Sequence, residues 1–177
     1  MKKLPLLLSL VVLASACTTM DPPMTAAPGA LPDADIAGIV TAANEGEVQQ
    51  GNAASARATS ADVRSFAQMM VTDHTAALNT ARDTFSRNGI TPAENYTTRK
   101  LRDNSQLTVT NLATYSGAAF DRTYMQTQVD LHQWLLTTLD QALIPSAANA
   151  EVRSLLQTQR ASVAAHLERA RSIRAGL

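Results

Sequence analysis

Three histidines are the side chains of this sequence whose type and spacing could do chemistry. His74, His132 and His166 each follow a valine by three residues, as in the stretch Val71-Thr72-Asp73-His74. Residues three or four apart lie on one face of a helix, so each imidazole should share a face with apolar neighbours. Neutral imidazole is a good ligand for first-row transition metals. The pattern therefore predicts imidazoles inside the protein, where they could bind an ion.

Glu47 is the carboxylate that could join them, because it lies with Gln50 on the apolar stripe of the first predicted helix. Glu47 lies about 13 residues before the first predicted turn and His74 about 14 after it, so at ~1.5 Å per residue their heights agree within a few Å. His132 lies about 14 residues before the second turn and His166 about 20 after it, which predicts an offset of roughly 9 Å. We expect Glu47, His74 and His132 to converge. Whether His166 joins them as a fourth member stays open.

Three interpretations of this group remain open. Glu47 and the histidines could bind one ion of zinc, copper, manganese or iron. They could instead form a layer of buried polar side chains, hydrogen-bonded to neighbours such as Asp73 or Asp130, that fixes the register of the helices without a ligand. The histidines could also face water, in which case the inferred helix faces are wrong.

The elements that must position these residues are helices. Apolar residues recur at alternating steps of three and four along four long stretches, which is typical of a helix bundle. Short connections predict two antiparallel hairpins, and the segment 89–117 is long enough to cross between them. We therefore predict an all-α, ferritin-like four-helix bundle whose long crossover carries a short or irregular extra helix rich in Thr and Asn. The predicted helices are Asp35–Ala58, Ala61–Asn88, Thr98–Tyr115 (the extra one), Ala118–Leu143 and Asn149–Arg174.

The N-terminus predicts export. Residues 1–16 begin with two lysines, continue as an apolar run and end in small residues, as a signal peptide does. The segment resembles a bacterial lipoprotein signal, which implies a lipid on Cys17, attachment to a membrane and, because Thr18 rather than Asp follows, the periplasmic side of the outer membrane. Ala14-x-Ala16 also fits an ordinary secretory signal, which would leave a soluble periplasmic or secreted protein. Residues 17–34 hold four of the seven prolines and one glycine, which predicts a flexible tether. Residues 35–177 are predicted to form the helical domain.

The composition excludes several classes of function. The 177 residues carry 15 basic and 15 acidic side chains, so the formal net charge of +0 argues against binding to nucleic acid. The single Cys excludes an intrachain disulfide framework and a Cys-rich metal site. We find no Gly-rich phosphate loop and no nucleophile motif. These features favour a non-enzymatic envelope, structural or stress role; the alternative is a metal-binding bundle that serves as a metal buffer or a small redox protein. Protein partners are left open.

Several stretches together resemble a known family: Asn44–Val48, Asp62–His74, Ser116–Met125, Gln128–His132 and His166-Leu167. They are similar to the exported bacterial proteins grouped as domain of unknown function 4142, and the resemblance covers about residues 35–175. It implies a ferritin-like helical bundle and implies no established activity. Di-iron ferritins place Glu three residues before His on two helices, whereas this sequence has valine there. We therefore expect no di-iron centre, and at most one ion.

Overall fold

The computed structural model describes residues 21–27 and 29–177, which form helices and no strands. The prediction of an all-helical chain is confirmed. The signal peptide and Cys17 lie outside the described residues. None of the described helices combines the length and the apolar character that crossing a bilayer requires. The five helices are α1 (Asp33–Ser55), α2 (Ala61–Arg87), α3 (Tyr96–Leu112), α4 (Gly117–Thr138) and α5 (Ala150–Ala175).

The fourth helix does not stop at its last α-helical residue. It continues through a π turn at Leu139–Leu143 and a short helical turn at Ile144–Ser146. Pro145 has no N–H, so the carbonyl of Gln141 lacks its usual partner four residues on. The wider π turn directly before Pro145 accommodates that interruption without ending the helix.

Capping side chains set where three helices begin. Ser60 accepts a hydrogen bond from the N–H of Val63, and Asn149 accepts from two N–H groups at the start of α5. Asn95 and Thr98 form a reciprocal capping box on α3, the arrangement that satisfies two free N–H groups at once. The expectation of a short or irregular helix here is wrong: α3 is a regular helix of 17 residues. Packing of its inner face against α1 overrides the weak intrinsic propensity of Thr and Asn.

The first helix packs against two neighbours. It runs antiparallel to α2, since Gly51 lies against Val71 while Glu45 contacts Arg82 nearer the other end. It runs parallel to α3, since Gly38 lies against Thr98 and Gly46 against Ser105 further along. Thirteen of its 23 residues are buried, which is why α1 lacks the strong amphipathic pattern of a surface helix.

The fifth helix closes the other side of the interior. It runs antiparallel to α4, because Gln133 pairs with Arg171 and Asp140 with Arg160. It also packs against α2 along its length.

Two apolar clusters fill opposite ends of the interior. One contains Ile36 and Ile39 of α1 with Leu135 of α4, and the other contains Phe66 of α2 with Tyr124 of α4. The gap between the two clusters runs from Ala42 to Ala54 on α1 and from Met70 to Ala81 on α2, about three turns each, and is about two turns on α4 and α5. Glu47, His74 and His166 fall in that gap, and His132 directly follows Leu131, the first α4 member of the cluster that contains Ile36. These four buried side chains form a polar layer where the two apolar clusters meet.

The described part of the proline-rich segment lies against the domain. The N–H of Met24 donates to Thr138 Oγ1 at 3.3 Å, and that of Ala26 donates to the Gln141 carbonyl at 3.2 Å. The second bond gives the Gln141 carbonyl the N–H donor that Pro145 cannot supply. The Asp33 carboxylate accepts from the backbone N–H groups of residues 148 and 149, just before α5. Through these bonds, residues 21–27 and 29–32 lie along the domain and are called the strap below; the flexible tether predicted for residues 17–34 stays a prediction.

A close approach between α1 and the segment before α3 gives a testable consequence. A Cβ added to Gly38 would lie 2.0 Å from the backbone carbonyl oxygen of Ala93. We expect Gly38→Ala to lower the free energy of unfolding by about 1–3 kcal/mol in urea denaturation, because backbone must shift to make room. Gly176→Ala is the control, since its nearest neighbour would be at 3.5 Å; equal stability of the two variants would contradict the close contact.

Candidate metal centre

The three histidines meet in the polar layer. The ring centroids are 5.9 Å apart for His74 and His132, 5.3 Å for His74 and His166, and 5.5 Å for His132 and His166. One ring nitrogen from each residue can be chosen so that all three lie within 4.8 Å of one another. The imidazoles are contributed by α2, α4 and α5, and each is buried.

His166 is level with His132, contrary to the offset of roughly 9 Å expected from the sequence. The reason lies in the turn. Helical backbone after His132 continues 14 residues to Ser146, and α5 begins at Ala150, 16 residues before His166. A difference of two residues corresponds to an offset of only ~3 Å. The expected count of about 20 included the residues of the turn itself, which add nothing to the height of α5.

Each ring donates outward through one nitrogen. His74 Nδ1 lies 2.9 Å from the side-chain oxygen of Asn44 and His132 Nδ1 lies 2.9 Å from the backbone oxygen of Gln128. His166 Nε2 lies 3.0 Å from the Asp73 carboxylate. All three partners are acceptors, so the proton of each ring belongs on the outer nitrogen.

The second nitrogen of each ring has no such partner. Among the described residues, His74 Nε2, His132 Nε2 and His166 Nδ1 are buried and make no hydrogen bond. The outward bonds leave the lone pairs of these nitrogens free. Holding the far nitrogen of a ligating histidine by an acceptor is how proteins orient imidazole toward a metal and raise its basicity.

Burial keeps the rings neutral. It lowers the pKa of His74 well below the ordinary value, and the neighbouring His132 and His166 lower it further. Burial also lowers the pKa of His132 to about 4 and, with the proximity of His132, lowers that of His166. The proton that would compete with a metal ion is therefore already weakly held at neutral pH.

Glu47 lies beside the three rings rather than among them. Its Oε1 is 3.7 Å from His132 Nδ1, the outer nitrogen, and it is not part of the three-nitrogen group. The residue is completely buried, and neither carboxylate oxygen has a hydrogen-bond partner among the described residues. Burial raises the pKa of Glu47 to about 7. The carboxylate thus supplies negative charge next to the layer as soon as a cation offsets its desolvation.

Two of the residues that orient the rings were not found from the sequence. Asn44 and Gln128 were missed, whereas Asp73 was considered as a neighbour of the histidines. Asp130, considered with it, instead accepts from Gln126 at 2.9 Å. Asn44 precedes Glu47 by three residues and so shares its helix face, which is the signal that could have found it.

The donor set fits one ion and does not fit two. Three neutral imidazoles and one carboxylate are suitable ligands and charges for a single divalent first-row metal. A ferritin-type di-iron centre needs about four carboxylates, and Val71, Val129 and Val163 occupy the positions where the further ones would have to come from.

The raised pKa of Glu47 predicts a pH dependence. Between pH 4.5 and about 7 the native carboxyl keeps a proton that the unfolded chain has lost, so this group destabilises the metal-free fold increasingly as pH rises. Glu47→Gln removes that effect. We expect the variant, in chelator-treated protein, to gain roughly 2–3 kcal/mol relative to the unmodified chain between pH 5 and pH 8.

Urea denaturation at the two pH values measures this gain. The histidines contribute in the opposite direction in both proteins, and the contribution of His166 differs between them because Glu47 raises its pKa. Glu45→Gln, a half-exposed carboxylate on the same helix, serves as the control and should change little at either pH. A pH-independent difference between Glu47→Gln and the unmodified chain would contradict the buried carboxyl.

The chain was compared with known proteins. No curated protein and no solved structure is significantly similar to it. The model of one family, described as domain of unknown function (DUF4142), matches residues 18–173, which is most of the 177. The resemblance noted from short stretches thus extends over the helical domain and the segment before it, and the chain belongs to the DUF4142 family.

Proposed function

We propose that this protein binds one first-row transition-metal ion in the layer formed by His74, His132 and His166, and acts as a metal-binding bundle. The observation that carries the proposal is the convergence of three neutral imidazoles, each of which has one nitrogen with no partner among the described residues. Glu47 lies 3.7 Å from the outer nitrogen of His132, outside the group of three nitrogens, and its negative charge near the layer balances part of the charge of the ion. The role is that of a metal buffer or a small redox protein.

The competing idea is a polar layer that only fixes the register of the helices. Such a layer is stabilising when its polar atoms are paired. Here five buried atoms lack partners among the described residues: one nitrogen of each histidine and both oxygens of Glu47. Each unpaired buried group costs about 1–3 kcal/mol, which favours a layer completed by a cation over one that is complete by itself.

The chemistry of the donor atoms limits which metal ions the site would bind. Imidazole suits zinc, copper and iron, and a carboxylate also suits manganese. The described residues contain no Cys, so they offer no thiolate to soft ions such as copper(I).

For the fold, we propose a ferritin-like four-helix bundle built from α1, α2, α4 and α5, with α3 in the crossover. The antiparallel pairs α1/α2 and α4/α5 and the packing of α2 against α5 support it. The position of the histidine layer midway along all four helices is also where bundles hold metal ions.

For location, we propose that the chain is exported and carries lipid on Cys17, on the periplasmic side of the outer membrane. The support is the lysine-plus-apolar leader in residues 1–16 and the small residues before Cys17. Simple secretion after cleavage at the same bond is the alternative.

Metal content tests the main proposal. Full-length protein, stripped with a chelator and reloaded with zinc, copper, iron or manganese separately, should retain about one equivalent of at least one ion after desalting. His132→Ala should retain less than about one-tenth of an equivalent, because one of three ring ligands is lost. Circular dichroism confirms that the variant is still helical, and elemental analysis measures the metal.

Two further variants sharpen this test. Gln133→Ala changes an exposed neighbour of His132 and should retain the ion fully. Asp73→Ala removes the acceptor that orients His166 and should weaken binding by roughly 10–100-fold without abolishing it. The proposal would be overturned if the unmodified chain retained less than about one-tenth of an equivalent of every ion. The interpretation of the layer as a device that only fixes the register of the helices would then remain.

Cys17→Ser tests the anchor. Loss of the thiol removes the site for acylation, so the variant should move from the membrane fraction to the soluble fraction and no longer incorporate labelled fatty acid when expressed in a Gram-negative host. Unchanged membrane association together with no label in the unmodified chain would favour another mode of attachment.

A further inference from the structure

A cavity of about 410 Å³ opens onto one side of the histidine layer. Its wall includes His74 and His166, whereas neither Glu47 nor His132 lines it. The layer therefore has a closed side, which contains the carboxylate, and an accessible side. The volume lies in the range of about 300–1,000 Å³ in which proteins bind small molecules.

The lining of this cavity specifies the chemistry of a ligand. Most of it is aliphatic, with contributions from α1, α2, α4 and α5, for example Ile39, Ala77 and Leu155. Among the described residues that line it, Asp73 is the only charged one, and its carboxylate already accepts from His166. The side-chain nitrogen of Gln159, also in the wall, is buried without a hydrogen-bond partner. An uncharged, mostly apolar molecule with one polar acceptor matches this surface.

The π turn of the fourth helix forms part of the same wall. Leu139 and Leu143, its first and last residues, both line the cavity. On its other side the turn is held by the strap through the bond from Ala26 to the Gln141 carbonyl. Single π turns inside α-helices occur frequently at functional sites, and here the turn shapes the wall opposite the imidazoles.

We propose that this cavity admits a neutral molecule with an apolar body, whose lone-pair nitrogen or oxygen occupies an open coordination position of the ion between His74 and His166. The inference rests on the proposed metal site and adds its substrate class. Three protein nitrogens leave a position for an external ligand, as in catalytic metal sites, and the cavity reaches the layer on the side away from Glu47.

Spectroscopy of the cobalt-loaded full-length protein tests it, because the visible absorption of Co²⁺ changes when a ligand joins the ion. The probes are imidazole and 4-phenylimidazole, which coordinate through the same type of nitrogen. The added phenyl group should bind in the aliphatic cavity and tighten binding by roughly 10–100-fold, with a change in the cobalt bands at saturation.

Two variants fill the cavity without touching a histidine. Ala77→Phe narrows it from α2, and Thr158→Trp covers it from an exposed position on α5, where a failure to fold is not expected. Both should keep one equivalent of cobalt and lose at least tenfold in affinity for 4-phenylimidazole. Ala119→Trp, which alters a separate cavity of about 500 Å³ beside α3 and α4, is the matched control and should bind both probes unchanged.

The outcomes separate the two proposals. Three results overturn the cavity inference alone, provided that the protein retains cobalt. They are equal affinity for imidazole and 4-phenylimidazole, unchanged affinity in the filling variants, and binding that leaves the cobalt bands unchanged. Failure to retain cobalt or any other ion overturns the metal site and, with it, this inference.

Discussion

A buried neutral imidazole needs partners for two different nitrogens, one that donates a hydrogen bond and one that carries a lone pair. In this protein the donating nitrogens face an amide, a backbone carbonyl and a carboxylate, so the lone pairs are left facing the interior. Apolar clusters lie on both sides of the layer, and these nitrogens are buried without a partner among the described residues. With Glu47 added, the unpaired atoms cost a sizeable part of a typical stability of ~5–15 kcal/mol. Structural zinc sites gain ~10–16 kcal/mol on binding, which is enough to reverse that balance.

Much of the helical framework could be predicted from the sequence, since apolar spacing at steps of three and four depends only on local geometry. The predicted Asp35–Ala58 corresponds to the observed Asp33–Ser55, and the Val-x-x-His pattern correctly indicated buried histidines. The height of His166 was not predictable in the same way. It depends on how many residues the turn takes before α5 begins, and that turn is held by the carboxylate of Asp33, which is distant in sequence.

Partners distant in sequence also account for other differences. The pairing of His74 with Asn44 depends on how α1 and α2 are aligned, whereas the Gln128 carbonyl lies four residues before His132 on the same helix. The regular α3 owes its length to packing on α1, and the strap owes its position to a carbonyl left free by Pro145. In each case long-range packing outweighed a correct local tendency, namely the weak helix propensity of Thr and Asn and the reluctance of prolines to form helix.

The strap has a geometric consequence for a lipid-modified chain. Met24 is fixed at the domain by Thr138, and seven residues separate it from Cys17, a span of at most ~25 Å when fully extended. An acyl group on that cysteine would hold the N-terminal end of α1 against the headgroups, with the helices rising away from the bilayer. Asn44 lies ~17 Å further along α1. The imidazoles would then stand within ~40 Å of the lipid surface, close enough to meet molecules that leave or enter the leaflet.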